Sequence, residues 1–159
     1  MNSHAAAEPG AIDALIAHHK TMPGAMLPIL HAIQDAVGYI PPEAVPLIAD
    51  ALNVSRAEVH GVITFYHHFR QAPPGRHVVR ICRAEACQAV GSEALAAHAT
   101  ASLACGFHQT TGDGAFSLEP VYCLGQCACG PAIMIGDEVH ARVSPDKFNR
   151  LLGAKRGAQ

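Results

Sequence analysis

Cys82, Cys87, Cys123 and Cys127 are the residues of this chain best suited to chemistry. They are spaced C-x4-C, then a long gap, then C-x3-C. Each pair follows a stretch with strand character and enters a loop rich in glycine or turn-forming residues. Two loops placed in this way can converge several thiolates on one small volume. Four thiolates can hold a [2Fe–2S] cluster, two on each iron. They can also hold a structural zinc ion, for which C-x2-C to C-x4-C pairs are usual. Free or disulfide-forming thiols are the third reading. Spacing alone leaves all three open.

The composition narrows the setting. Half of the 159 residues are apolar, which suffices for one domain or two small ones. The formal net charge is -2 with histidine neutral. No broad basic face is expected, which argues against nucleic acid as a partner. No apolar run reaches membrane-spanning length. The stretch from Met1 to Gly10 lacks the apolar segment of a secretory signal. These readings together lead us to expect a cytoplasmic, reducing location, where six cysteines point to metal or redox chemistry more than to disulfide staples. The eleven histidines are scattered, with His18, His19, His67, His68 and His108 among them, and they read as surface or packing residues.

The elements that must position the cysteines fall into two halves, divided near Gln71 to Gly75. Ile12, Leu15, Ile16 and His19 share one face of a first helix, which Pro23 and Gly24 end. Met26 to Val37 repeats apolar residues at helical spacing, with Gly38 as its stop. Pro41 and Pro42 open a third helix through Val45, Ile48 and Leu52. Ser55 and Glu58 have the S-x-x-E form of a capping box, so a fourth helix starts there and runs through Val59, Val62 and Ile63. This half could imitate a helix-turn-helix module, but acidic Glu43, Asp50 and Glu58 outweigh Arg56 and Arg70.

After Ala72-Pro73-Pro74-Gly75 the period changes. His77 to Ile81 reads as a strand leading into Cys82. Gly91-Ser92 opens an alanine-rich helix over Glu93 to Ala104. Ser117 to Tyr122 is a second strand leading into Cys123. Ala132 to Ile135 and Glu138 to Val143 flank Gly136-Asp137, a hairpin dipeptide in reversed order. Ser144-Pro145-Asp146 begins a last helix with Phe148, Leu151 and Leu152 inward. The expectation is an α/β layer with a parallel start and an antiparallel edge. Cys105, at the end of a helix in an apolar run, reads as a buried small hydrophobe. Gly125 and Gly130 let the main chain approach the site, Pro131 fixes the loop's exit, and Ser92 starts a helix soon after Cys87.

The two cysteine motifs, Cys82-Arg-Ala-Glu-Ala-Cys87 and Cys123-Leu-Gly-Gln-Cys127, resemble those of the thioredoxin-like [2Fe–2S] ferredoxins. These include subunits of respiratory complex I, NAD-linked hydrogenases and formate dehydrogenases. Leu27-Pro-Ile-Leu-His31, Gly38-Tyr-Ile-Pro41 and Val62-Ile-Thr-Phe-Tyr66 look like the same family's N-terminal helices. The resemblance covers roughly residues 20–152. Phe65-Tyr-His-His-Phe-Arg70, the extended first motif through Gln88, and Cys127-Ala-Cys129-Gly-Pro131 look most like the gamma subunit of soluble, molybdenum-containing NAD-dependent formate dehydrogenase. Complex I members more often continue the last motif with Gly, Asn or Asp, then Ala-Pro.

The resemblance implies an N-terminal helical bundle over residues 11–72 and a thioredoxin-like [2Fe–2S] domain over 76–153. It implies Cys82, Cys87, Cys123 and Cys127 as the ligands of one [2Fe–2S] cluster, with Cys129 just outside them. It implies an electron-transfer subunit, not a self-sufficient enzyme. Its partners would be a flavoprotein subunit with FMN and an NAD site, and a larger subunit with molybdenum and iron–sulfur centres. An equivalent subunit of complex I or of an NAD-linked hydrogenase is the alternative. The chain has no nucleotide-binding fingerprint of its own. A thiol oxidoreductase would want C-x-x-C, which the first pair does not supply. A zinc-stabilised adaptor remains the third class, and the colour of the purified protein separates it from an iron–sulfur protein.

Overall fold

Four helices open the chain in the computed structural model, which describes residues 10–157. The reading of Met1 to Gly10 as no secretory signal lies, but for Gly10, outside the described residues. Two compact units part between Pro73 and Pro74.

The first unit holds α1 (Ala11–His19), α2 (Met26–Val37), α3 (Ala44–Leu52) and α4 (Arg56–Phe65). Their apolar stripes meet in one core built on Ile16, Ile29, Leu30, Ile33, Ile48, Val59 and Ile63. The start of α4 is a full capping box. Ser55 Oγ accepts from the Glu58 N–H, and the Ser55 N–H donates to Glu58 Oε2 at 2.8 Å. That bond holds the Glu58 carboxyl below the usual carboxylate range. α3 starts at Ala44 instead of at the Pro41-Pro42 pair, which forms the turn before it. The segment after α4 is tied back by the buried Gln34. Its Nε2 donates to the His68 carbonyl at 2.9 Å and its Oε1 accepts from the Arg70 N–H at 2.7 Å. A buried amide satisfied at both ends fixes that return without leaving an unpaired polar group.

The second unit is a five-stranded sheet with helices. In chain order it has β1 (His77–Cys82), α5 (Glu85–Gln88), α6 (Ser92–Leu103), β2 (Gln109–Thr110), β3 (Phe116–Val121), a single 3₁₀ turn (Cys127–Cys129), β4 (Ile133–Ile135), β5 (Glu138–His140) and α7 (Pro145–Gly157). The sheet order is β2-β3-β1-β4-β5. Only the central pair, β1 and β3, is parallel. Val79 lies opposite Leu118 and Ile135, and Ile81 opposite Ile133. These residues, with Phe116, form one apolar face that joins Leu95, Ala99 and Leu103 of α6 and Phe148 and Leu152 of α7 in a common core. Cys105 is buried in the same core, and burial pushes its thiol up from the usual range.

The hairpin turns at Gly136-Asp137, with Ile135 paired to Glu138. Its second strand ends at His140, short of the expected Val143, because Arg142 leaves extended geometry at φ 50°. Pro120 sits inside β3 at no cost to the ladder. β2 pairs β3 only at Ser117 and Leu118, so the missing N–H falls where that edge is uncovered.

Candidate functional site

The parallel pairing of β1 and β3 decides where the cysteines go. Parallel strands end on the same side, so the loop after β1 and the loop after β3 leave from one end of the sheet. Cys82 is the last residue of β1 and lies opposite Val121, the last of β3. β4 runs antiparallel to β1, with Ile133 opposite Ile81, so the second loop returns at that end too.

The first loop is held hard. The Cys82 N–H donates to the Ala132 carbonyl at 3.0 Å. The Cys82 carbonyl accepts from Ser92 Oγ, a fully buried hydroxyl at the start of α6. The Arg83 N–H donates to the Val121 carbonyl at 2.7 Å. The Arg83 side chain is engaged by Glu93 through two bonds, at 3.0 and 2.9 Å, and lies over the Phe107 ring. Cys87 sits in α5. Cys82 and Cys87 are both 2% exposed and pack with Ala132.

The second loop is more open. Cys123 has φ 153° and Gly125 φ 72°. Gly125 there adopts a conformation that most side chains resist, and its N–H donates to Cys123 Sγ at 3.3 Å. Cys123 Sγ and Cys127 Sγ are 3.9 Å apart, and both residues are exposed. Two thiolates on one tetrahedral metal, with bonds of about 2.3 Å, are about 3.8 Å apart. The second pair thus already has the separation that a shared metal requires.

The loops meet at Gly130. A Cβ there would come within 2.7 Å of Val90 Cγ2 and 3.3 Å of Cys87 Sγ. Only glycine lets the second loop lie this close to the first cysteine pair. The sulfurs also feel one another electrostatically. Burial first, then a hydrogen bond with Cys82 and the charges of Cys82 and Cys127, push the Cys87 thiol up. The bond shared with Cys123, then that sulfur's charge and that of Cys82, push Cys127 up. Crowded thiols resist ionisation by themselves, and a bound cation reverses that, because a coordinating thiol is deprotonated outright. Among the described residues, no three of histidine, cysteine, aspartate and glutamate are gathered as a single-ion cage would need. The four cysteines come as two pairs on two loops, a division that a two-iron cluster can use.

Cys129 stands beside these four, half-buried, at the end of the 3₁₀ turn. Its carbonyl accepts from the Arg142 N–H at 2.8 Å, and its Sγ lies 3.9 Å from Arg142 Nη2. Sequence reasoning gave no role to Arg142, and it knew Ser92 only as the start of a helix. Both contacts bridge segments remote in sequence, so no local pattern announces them.

The chain is similar to several known proteins. An NADH-quinone oxidoreductase subunit from Pseudomonas aeruginosa is 37% identical over 147 residues, covering 92% of this chain and 89% of the relative. Its counterpart from Escherichia coli K12 matches at 37% over the same share. The HndA subunit of the NADP-reducing hydrogenase of Solidesulfovibrio fructosivorans is 32% identical over 81% of this chain and 75% of its own length. Among solved structures, a chain of an NAD+-reducing [NiFe]-hydrogenase in the H2-reduced state shares the fold, with a TM-score of 0.67 at 23% identity over 82% of this chain. This chain spans 22% of that longer one. No helix among the described residues is long and apolar enough to cross a membrane. The model of one family, the thioredoxin-like [2Fe-2S] ferredoxins, matches residues 12–156, so the chain belongs to that family, whose cofactor is a [2Fe–2S] cluster.

Proposed function

We propose that this chain is an electron-transfer subunit of an NAD-linked oxidoreductase complex, with one [2Fe–2S] cluster held by Cys82, Cys87, Cys123 and Cys127. The observation that carries the reading is the convergence of two cysteine pairs at one end of the β1/β3 pair, with Cys123 and Cys127 at metal-sharing distance. The cluster, when bound, supplies a one-electron redox centre. The chain's own residues do the rest. Ala132 and Ser92 hold the main chain of Cys82 from both sides. The Gly125 N–H, aimed at Cys123 Sγ, favours negative charge on that sulfur. Burial of Cys82 and Cys87 keeps water from one side of the site, while Cys123 and Cys127 face outward, where a redox partner can approach.

A flavin-containing, NAD-binding subunit is the partner this chemistry suits, since a flavin converts between two-electron hydride chemistry and one-electron steps. The helical unit contains no cysteine, and a role for residues 11–70 in docking that partner fits its lack of redox groups. A formate-oxidising complex is the finer reading, supported by Cys127-Ala-Cys129-Gly-Pro131 and the motifs around Phe65 and Cys82. An equivalent subunit of a quinone-reducing or hydrogen-oxidising complex fits at least as well, given the relatives named above. Two irons and two sulfides per chain, with an electron paramagnetic resonance signal on reduction, are expected. Stoichiometric zinc in protein made with adequate iron would refute the reading. Purification of the intact complex, with its cofactors identified, decides among the three kinds of assembly.

A further inference from the structure

The cluster loop is gripped from outside the cysteine motifs. The Arg142 N–H donates to the Cys129 carbonyl at 2.8 Å and the Val143 N–H to the Pro131 carbonyl at 3.0 Å. Arg142 has φ 50°, a left-handed conformation that is unfavourable for a non-glycine residue and that ends β5. That turn leaves the guanidinium beside the loop it clamps, with Nη2 3.9 Å from Cys129 Sγ. Among the described residues Arg142 makes no ion pair. The other arginine beside the cysteines, Arg83, is matched by Glu93 in a two-bond pair, so its charge is largely spent locally. Arg142 is thus the cation beside the cysteine loops whose field no paired carboxylate cancels. A guanidinium is permanently charged and weakly hydrated, so it can lie against a sulfur without losing its charge.

We infer that Arg142, acting from its seat on Cys129, is a positioning residue that raises the reduction potential of the [2Fe–2S] site. The inference rests on the assignment of the cluster to Cys82, Cys87, Cys123 and Cys127. Reduction adds one negative charge to a site already rich in thiolates. A nearby uncompensated cation stabilises the reduced form more than the oxidised one. Arg142 is exposed, so solvent and salt weaken the effect without abolishing it. The backbone clamp and the side-chain charge are separable, because any residue at 142 except proline keeps the N–H bond to Cys129.

The test is a redox titration of the purified, cluster-loaded full chain, read by absorbance and by electron paramagnetic resonance. Arg142→Gln, which keeps a polar donor but loses the charge, is expected to disfavour the reduced form about three- to tenfold. For a one-electron couple that is a fall of about 30–60 mV. Arg142→Lys should stay near the parent value, and the Gln shift should shrink in high salt. Iron and sulfide content should be unchanged in both. A fully loaded Gln variant with the parent potential overturns the inference and leaves the cluster assignment intact. Loss of cluster from either variant also overturns it, because the residue would then hold the loop together and not tune it. Absence of iron and sulfide from the parent chain would instead sink the cluster assignment itself.

Discussion

The two cysteine loops are held by the protein in opposite ways. Cys82 and Cys87 are packed into the protein, tied by main-chain bonds and by the buried Ser92 hydroxyl. Cys123 and Cys127 are exposed, on a loop shaped by glycine geometry and a 3₁₀ turn. The first pair is part of a core, and the second is presented by one. A redox site gains from this division, because one side excludes water and the other stays within reach of a partner.

The largest test of that contrast is serine replacement on each side. Cys87→Ser and Cys127→Ser should both abolish or strongly alter the resonance signal. Only Cys87→Ser should also destabilise the cluster-free chain, by about 1–3 kcal/mol, since it buries a hydroxyl where a thiol packed. Urea unfolding of the two cluster-free variants reads the difference, and equal midpoints would erase the distinction. On the proposed ligand set of Cys82, Cys87, Cys123 and Cys127, Cys129→Ser should keep the cluster.

The seam between the loops comes next. Gly130→Ala places a methyl against Val90 and Cys87, an overpacking expected to cost about 1–3 kcal/mol. Val90→Ala in the same chain should recover much of that loss, since Val90 Cγ2 is the nearest atom. Failure of the rescue would mean that Cys87, not Val90, is the obstacle.

A pH series sharpens the contrast further. Burial raises the Cys87 and Cys105 thiols in the folded state. A raised folded value contributes stability that is complete below the unfolded thiol value, about 8.5, and is lost as pH rises through the folded one. The cluster-free chain should therefore weaken in mild alkali, and Cys105→Ala should lessen the slope. Thiol alkylation at neutral pH should reach Cys123 and Cys127 before Cys82, Cys87 or Cys105. A flat stability profile above a pH of about 8.5 would show that neither buried thiol resists ionisation. The smallest effect lies outside both loops. Ser55→Ala removes the α4 cap, costs about 1 kcal/mol, and should leave the cluster's spectrum untouched.

Much of the architecture was legible because it is local. The period of Met26 to Val37, the Ser55–Glu58 box and the β-branched run from His77 each announce themselves within a few residues. Cys105 was legible as packing because its neighbours are apolar. The sequence hid what is short or distant. α5 has four residues, too few to show a helical period, and it carries Cys87. β2 has two exposed residues and no alternation. The Ser92 bond to Cys82, the seat of Gly130 against Cys87, and the Arg142 clamp all depend on tertiary placement. At the site, the residue types could be read, but not the contacts that hold them in place.

The register of β1 has a consequence for how the chain matures. Its neighbours come from far along the sequence, Phe116 opposite His77 and Ile133 opposite Ile81. Pairings of such separation form late, because loop closure must precede any reward. During synthesis the thiols therefore exist as two distant couples, the first emerging well before the second. On the proposed ligand set, metal cannot be captured by all four until β3 and β4 have flanked β1, so cluster insertion follows folding of the sheet. A nascent chain arrested before Val121 should bind no cluster, and its capture of one would reverse that order.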